Sequence, residues 1–564
     1  MKRFLSTILY FLFSILLTAQ TITFNEDSTA AGIENKRVYF PFNNEGKLAQ
    51  VNVDTSGSRM RYDDKVVMFA GGFTLSGFSD STLFSNGILP NGLIQDYIAG
   101  NIESNPDDPG NKIYAVKATD IPFGEEWQNW KTAVEQGAYF YDGDNDGIYN
   151  PVDKNENGQW DTNEDKPDIL YDASLFTVYN DAVPASERRW NTVEPLGIEI
   201  SQTVFVSNRN TILDDVVFIR YSVLYKGLDN PSEPDSLTDV IFSVFADNDI
   251  GGQSMSSGND LAGCDTLLQS GFIYNDSADV DWGIDPPAVF KTIIQGPLVK
   301  SEDPNSLGYN RMGPDLGHQI FQGYSNTGMS AYMDIISGEP LADLPHNKTE
   351  IRNNMLGLIR DGSEPDPCNW ILGEVRGDIN CTEVNPIFWH SGDPVSNTGW
   401  IASFHGDTGD LTSTGKFTLR KNEPMDIIVA YTVGRGTDHL NSITVARETV
   451  QYIHEEYERN FSTIVGVEEE EKEELPSSFT LYQNYPNPFN PTTKIKFAIP
   501  PNKTNTKLIV YDILGREIKT LINHQLNPGE YEIEFDASDL SSGVYFYTLN
   551  FGDNVITKKM TLIR

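Results

Sequence analysis

The sequence predicts a mainly β protein: a large body of β-sandwich type with one closing helix, then a C-terminal immunoglobulin-like β-sandwich. Runs rich in β-branched and aromatic residues recur along the chain, as half-buried pleated surfaces favour. Gly and Pro together make up 76 of 564 residues (46 and 30) and punctuate short segments rather than long helices. Near the C-terminus Tyr531, Ile533 and Phe535 alternate with polar residues, the period of a strand with one buried face.

At the N-terminus Lys2 and Arg3 precede an apolar run from Phe4 to Leu17, broken only by Ser6, Thr7 and Ser14. Small residues then offer a cleavage site near Ala19 or Gln20. Residues 1–20 read as a secretory signal peptide. The run is shorter than the ~20 apolar residues a membrane span needs, and no later stretch approaches that length. An exported chain is expected, with no transmembrane segment. Its body spans residues 21–463. There Ile198, Ser201, Val204 and Val206, Asp215 to Tyr225, Val240 to Ala246, and Met425 to Val433 are strand patterns. Ile443, Ala446, Val450, Ile453, Tyr457 and Phe461 step by 3, 4, 3, 4 and 4 residues and share one helical face. Arg447, Glu448, Glu455 and Glu458 take the other face, and Asn441 or Ser442 can cap the N-terminus. This stripe is expected to pack on the β body. Residues 464–476 contain VEEEEKEE, whose like charges repel, and read as a solvated linker. Residues 477–564 form the tail. Leu508 to Tyr511 and the run holding Val544, Phe546 and Thr548 are its further strands, and Gly552-Asp553 turns a hairpin before the last one.

The net charge is −40, and removing Lys2 and Arg3 takes it to −42. From residue 476 on, nine Lys and Arg against eight Asp and Glu give +1, so the acidity belongs to the body. Nucleic acid is excluded as a partner, because phosphate binding needs the opposite sign. Acidity favours solubility and divalent cations. The three cysteines are Cys264, Cys368 and Cys381. Three pairings are open in an exported chain; the pair 368–381 would close a short loop around Trp370. Cys264 has no neighbouring cation to activate a thiolate and reads as structural.

Chemistry concentrates in residues 142–164, DGDNDGIYNPVDKNENGQWDTNE. Two overlapping loops place oxygen ligands at alternate positions, as a hard cation needs. In the first, Asp142, Asp144 and Asp146 lead to the turn at Gly147, the Ile148 carbonyl, Asn150 and Asp153. In the second, Asp153, Asn155 and Asn157 lead to Gly158, the Gln159 carbonyl, Asp161 and Glu164, matching the full calcium-loop pattern. Pro151 interrupts, and no strong amphipathic helix brackets the pair. The loops resemble thrombospondin type 3 repeats or dockerin-like loops, which implies calcium in a structural role. A looser cluster, Asp247, Asp249, Asn259, Asp260 and Asp265, has no fixed loop spacing and reads as a polar loop.

The tail carries LPSSFTLYQNYPNPFNPTTKIKFAIP from Leu475, then LIVYDILGREI, LSSGVYFYTL and KKMTLIR. With Tyr485-Pro486-Asn487-Pro488-Phe489 at its heart, it resembles the type A C-terminal sorting domain of the type IX secretion system of the Bacteroidetes and related phyla. The resemblance implies passage through the periplasm and the type IX secretion machinery to the outer-membrane cell surface or the medium. It also implies tail removal near the linker and attachment to surface lipopolysaccharide.

No HExxH, GxSxG or GxxxxGK[ST] motif is present. The histidines (His318, His346, His390, His405, His439, His454, His524) show no ligand spacing, although His390 and His405 flank Trp400 and could meet on a β face. The expected function is binding, adhesive or structural, with a glycan or protein ligand. The alternatives are a secreted hydrolase acting on polysaccharide or protein, which needs two carboxylates or a Ser/His pair converging in a cleft, and a carbohydrate-binding module, which needs exposed coplanar tryptophans.

Overall fold

Layers packed on both faces explain why several strands of the body are buried at every residue. The computed structural model describes residues 21–54, 58–88, 96–208, 211–228, 230, 232–251, 259–310, 319–404, 406, 408–459, 461, 479–484, 486–500, 505–525, 529–538, 540–552 and 554–563. The predicted signal peptide and acidic linker lie outside these residues, as do His318, His405 and Tyr485. The chain divides into two compact units, Met1–Val465 and Gly466–Arg564.

The first unit is built on two large antiparallel sheets. One runs, edge to edge, Thr21–Phe24, Ala30–Asn35, Val38–Asn43, Leu48–Ala49, Ala70–Ser79, Ser236–Asp247, Thr408–Thr414, Met329–Ile336. The other runs Tyr114–Lys117, Ala173–Asn180, Ile198–Val206, Val216–Tyr225, Met425–Gly434, Ala288–Gln295, Ser270–Asn275, Asp260–Asp265. Their facing side chains form one apolar core. Across it Phe73 and Phe242 of the first sheet meet Tyr221 of the second at ring separations of 5.4 and 5.2 Å, and Phe40 meets Tyr431 at 5.5 Å. Aromatic pairs in this range add to the gain from buried area.

Alternation then decides what covers the outer face of the second sheet. In Val216–Tyr225 the residues Val217, Ile219, Tyr221 and Val223 enter the sandwich core, whereas Val216 and Phe218 point outward. Three α-helices occur among the described residues: α1 (Glu125–Glu135), α2 (Lys348–Met355) and α3 (His439–Glu458). The predicted stripe is the buried face of α3. Ile443, Ala446 and Val450 pack on Phe272 and Phe290, and Ile453, Tyr457 and Phe461 on Phe205, Phe218 and Ile428. Phe461 lies just past the helix end. The cap differs from expectation: Asp438 accepts from the amides of Leu440 and Asn441 at 3.0 and 2.9 Å. Asn441 and Ser442 sit inside the first turn and tie it back, accepting from the amides of Thr437 and Gly436. At the other end of the same sheet α1 packs Trp130 and Ala133 against Val116, Phe176 and Val178. Both faces of this sheet are thus covered, and Ala173–Asn180 and Ala288–Gln295 are buried at every position.

The sandwich interior also holds charge. Asp334 and Asp410 stand directly opposite each other on paired strands and are 1% and 0% exposed. Lys291 of the other sheet hydrogen-bonds Asp410, and His390 Nδ1 lies 3.3 Å from Asp334. His390 also packs its ring 5.2 Å from Trp400. A disulfide joins Cys368 to Cys381, while the Cys264 thiol is buried against the Trp389 carbonyl and burial pushes its pKa well up.

The second unit is a small two-sheet sandwich. Thr480–Leu481, Thr492–Ile499 and Gly529–Asp536 form one sheet; Glu517–Gln525, Asn505–Tyr511, Gly543–Phe551 and Asn554–Leu562 form the other. In Gly543–Phe551 the inward residues are Tyr545, Tyr547, Leu549 and Phe551, so Val544, Phe546 and Thr548 belong to the opposite face. Gly552, at φ 58°, turns into the last strand.

Candidate metal centre and C-terminal sorting segment

The acidic insertion is closed at its base by a two-residue ladder, Phe140 to Pro167 and Tyr141 to Lys166. Trp160 holds it together. Its ring lies 5.4 Å from Tyr141 and under the Lys166 ammonium at 4.1 Å, and its indole N–H donates to the Glu164 carbonyl. Tyr149 and Pro151 anchor it to α1 through bonds with the Trp127 carbonyl and the Gln128 amide.

Within the insertion the two loops repeat one geometry eleven residues apart. Asp142 accepts from the amides of Asp146 and Gly147, and Asp153 accepts from those of Asn157 and Gly158. Asn145 and Glu156 take φ of 59° and 58°, and Gly147 and Gly158 take 79° and 74°. The glycines fit because a side chain at such φ is strained. This winding brings ligand atoms of Asp142, Asp144 and Asp146 within 4.8 Å of one another. Lys154 donates to Asp144 at 2.8 Å, and that bond lowers the Asp144 pKa. In the second loop Asn155 and Asn157 both donate to Asp161, at 2.7 and 3.0 Å, and buried Glu164 accepts from the amides of Lys154 and Asp161. The amides of Ile148 and Gln159 bond Asp146 and Asn157.

The backbone of the first loop is held by a residue the spacing did not indicate. Asp165, 2% exposed, accepts from the amides of Gly143 and Asn150 at 3.0 and 2.7 Å. Burial raises its pKa, and the charges of Asp144 and Asp142 add to that. Asn150 turns its side-chain oxygen toward Lys131 at 3.4 Å, and Asp153 serves the second loop. Asp165 follows Glu164 directly, so a pattern that stops at position 12 ends one residue short of it. The three clustered carboxylates of Asp142, Asp144 and Asp146 offer oxygen donors, the type a hard divalent cation takes.

In the looser cluster Asp260 and Asp265 engage different partners. Asp260 and Asp265 end opposite sides of one strand; Asp260 accepts from Asn275, and Asp265 pairs with Arg447 at 3.0 Å. Seven of the eight tryptophans are under 9% exposed, and Trp160 is half-buried in the insertion, so no exposed tryptophan platform exists. The opposed carboxylates Asp334 and Asp410 lie in packed interior rather than in a cleft.

In the second unit the Asn-Pro-rich run is pinned to the last strand. The Thr561 amide donates to the Asn487 side chain, the Phe489 amide to the Thr561 carbonyl, and the Ile563 amide to the Phe489 carbonyl. Phe489 is 2% exposed, and Asn484 bonds the Pro486 carbonyl and the Thr493 hydroxyl.

Residues 483–563 match the family model described as the secretion system C-terminal sorting domain. No curated protein matches the sequence. Among solved structures, a polysaccharide lyase is 9% identical over 64% of this chain and 34% of its own, at a TM-score of 0.18. Dimeric latent PorU from Porphyromonas gingivalis is 10% identical over 70% and 32%, at 0.13. The BSP domain of a biofilm-associated protein is 9% identical over 96% and 80%, at 0.12. The chain thus spans about a third of the length of the first two. No helix among the described residues is long and apolar enough to cross a membrane. The segment 483–563 is a type IX sorting domain, and it marks the chain for secretion or attachment at the cell surface.

Proposed function

We propose that this chain is an exported, calcium-stabilised β protein whose body has a binding or adhesive role, delivered by its sorting domain. The observation that carries the reading is the twin-loop insertion: two loops of one backbone geometry, the first with three clustered carboxylates. Calcium would be held by Asp142, Asp144, Asp146, the Ile148 carbonyl, Asn150 and Asp153 in the first loop, and by Asp153, Asn155, Asn157, the Gln159 carbonyl, Asp161 and Glu164 in the second. Bound there, it would offset carboxylate repulsion and brace the insertion against α1. Extracellular calcium is abundant enough for affinities of ~10⁻⁴–10⁻³ M to suffice. Tail removal and attachment to surface lipopolysaccharide belong to the same reading. The directly opposed carboxylates Asp334 and Asp410 are buried and out of reach of a polymer, so that pair does not support hydrolysis. The test incubates the mature chain, in calcium, with insoluble polysaccharides and proteins. Loss from solution without soluble fragments supports the reading; fragments released in catalytic amounts would replace it with hydrolysis.

A further inference from the structure

The body carries a cleft of about 610 Å³ lined by both charged and aromatic side chains. One wall is the antiparallel pair of Leu298–Lys300 with Tyr324–Asn326; the other is Phe417–Arg420 and the turn that follows. Its volume falls in the range of small-ligand sites. Two half-buried rings, Phe321 and Tyr324, line it with centroids 5.9 Å apart.

Charge is the second observation. The chain has 41 Lys and Arg against 81 Asp and Glu, yet this cleft presents Lys300, Lys416 and Arg420 against Asp239 and Glu423. Lys416 lies 3.8 Å from Asp239 and Arg420 3.7 Å from Glu423, with all four side chains more than half exposed. Such pairs are loosely held and weak, so both cations are free to turn to a ligand. Lys300 is exposed and makes no ion pair among the described residues. A cationic mouth on an otherwise anionic protein selects an anion. Rings beside it provide apolar faces on which a ligand's C–H surface can lie. The Asn422 and Gln319 amides on the same lining offer both donors and acceptors. A ligand that uses all three features has acidic groups, C–H faces and many hydroxyls.

We propose that this cleft binds an anionic saccharide, with carboxylate or sulfate groups on Lys300, Lys416 and Arg420 and sugar faces against Phe321 and Tyr324. This rests on reading the body as a binding protein and names its ligand class. The charged groups act through Coulomb attraction in partly exposed surroundings, so affinity falls as salt rises.

The test is calorimetric titration of the full mature chain, at fixed calcium, with an oligogalacturonate and a chondroitin sulfate oligosaccharide. A neutral cello-oligosaccharide and polyglutamate serve as comparators. The expected result is binding of at least one anionic saccharide, weakened at least tenfold by Lys300→Ala with Lys416→Ala and, separately, by Phe321→Ala with Tyr324→Ala. All four side chains are at least partly exposed, so circular dichroism melts of the variants should match the parent. Absence of binding to both anionic saccharides, or equal binding of the neutral one, overturns the proposal. Polyglutamate binding indifferent to the ring substitutions would assign the cleft to an acidic peptide and likewise overturn it. If the chain depletes onto an insoluble polymer while these variants deplete equally, the binding role stands and the cleft assignment falls.

Discussion

Lys291→Met isolates the energetics of the sandwich interior. Lys291 and Asp410 are both fully buried, and their bond ties one large sheet to the other. Burial raises the Asp410 pKa while Lys291 opposes the rise; burial lowers the Lys291 pKa while Asp410 opposes the fall. Removing the ammonium leaves Asp410 unpaired beside Asp334, its cross-strand neighbour. Breaking one side of a buried pair costs about 3–5 kcal/mol. At about 2.1 cal/mol/K of unfolding entropy per residue over about 440 residues, that lowers Tm by roughly 3–5 °C. The pH dependence has a definite sign. An acid whose folded pKa is raised contributes stability that is present in acid and lost as pH rises through that value. Without Lys291 the Asp410 pKa climbs further, so the deficit is full near neutrality and shrinks on acidification as Asp410 becomes neutral. Lys291→Met with Asp410→Leu should recover most of the loss, since apolar replacement of a whole pair is often neutral. Calorimetric melts between pH 5 and 8 read all of this. A single variant melting within about 1 °C of the parent at neutral pH, or a deficit that grows in acid, would refute the reasoning.

Two further outcomes follow from the other unit and from the disulfide. Phe489→Ala removes a core ring of the sorting segment, at about 3–5 kcal/mol, a large share of what a domain of that size has. The chain should then accumulate in the periplasm in cell fractionation, as it should when Phe479 to Arg564 is deleted, and normal surface display of either would contradict the role given to that unit. Cys381→Ala opens a loop of 13 residues' separation, worth about 3 kcal/mol in the loop-entropy description. Limited proteolysis should then cut near Trp370 sooner than in the parent, and an unchanged digestion would mean the bridge is dispensable.

Local rules made the strands and α3 legible. The runs at Val216–Tyr225 and Met425–Gly434 are apolar on both faces because a core lies on one side and a helix on the other, and composition alone registers that. Periodicity located the buried face of α3 but not its cap, because Asp438 lies outside the stripe and competes with two other good capping residues. The shorter helices had signals of their own. Trp127, Trp130 and Ala133 recur at helical spacing, and Asn347 with Glu350 forms a capping pair at the start of α2. The order of strands is set by contacts between distant residues, such as Arg220 opposite Ile428, which no local window contains. The same applies to the site. Alternate spacing marks Asp142, Asp144 and Asp146, but Asp165 reaches the Gly143 and Asn150 amides because the Phe140 to Pro167 ladder folds the insertion back on itself. The charged interior and the aromatic cleft are likewise assembled from strands far apart in sequence.

Calcium binding by the twin loops is tested most directly by melting the mature chain in calcium and after chelation. With calcium at 100 times its dissociation constant, each site adds about 2.7 kcal/mol. The account predicts a Tm for the body several degrees higher in calcium than in chelator, and loss of that difference in Asp142→Ala with Asp153→Ala. A body transition that is identical in calcium and chelator would contradict it.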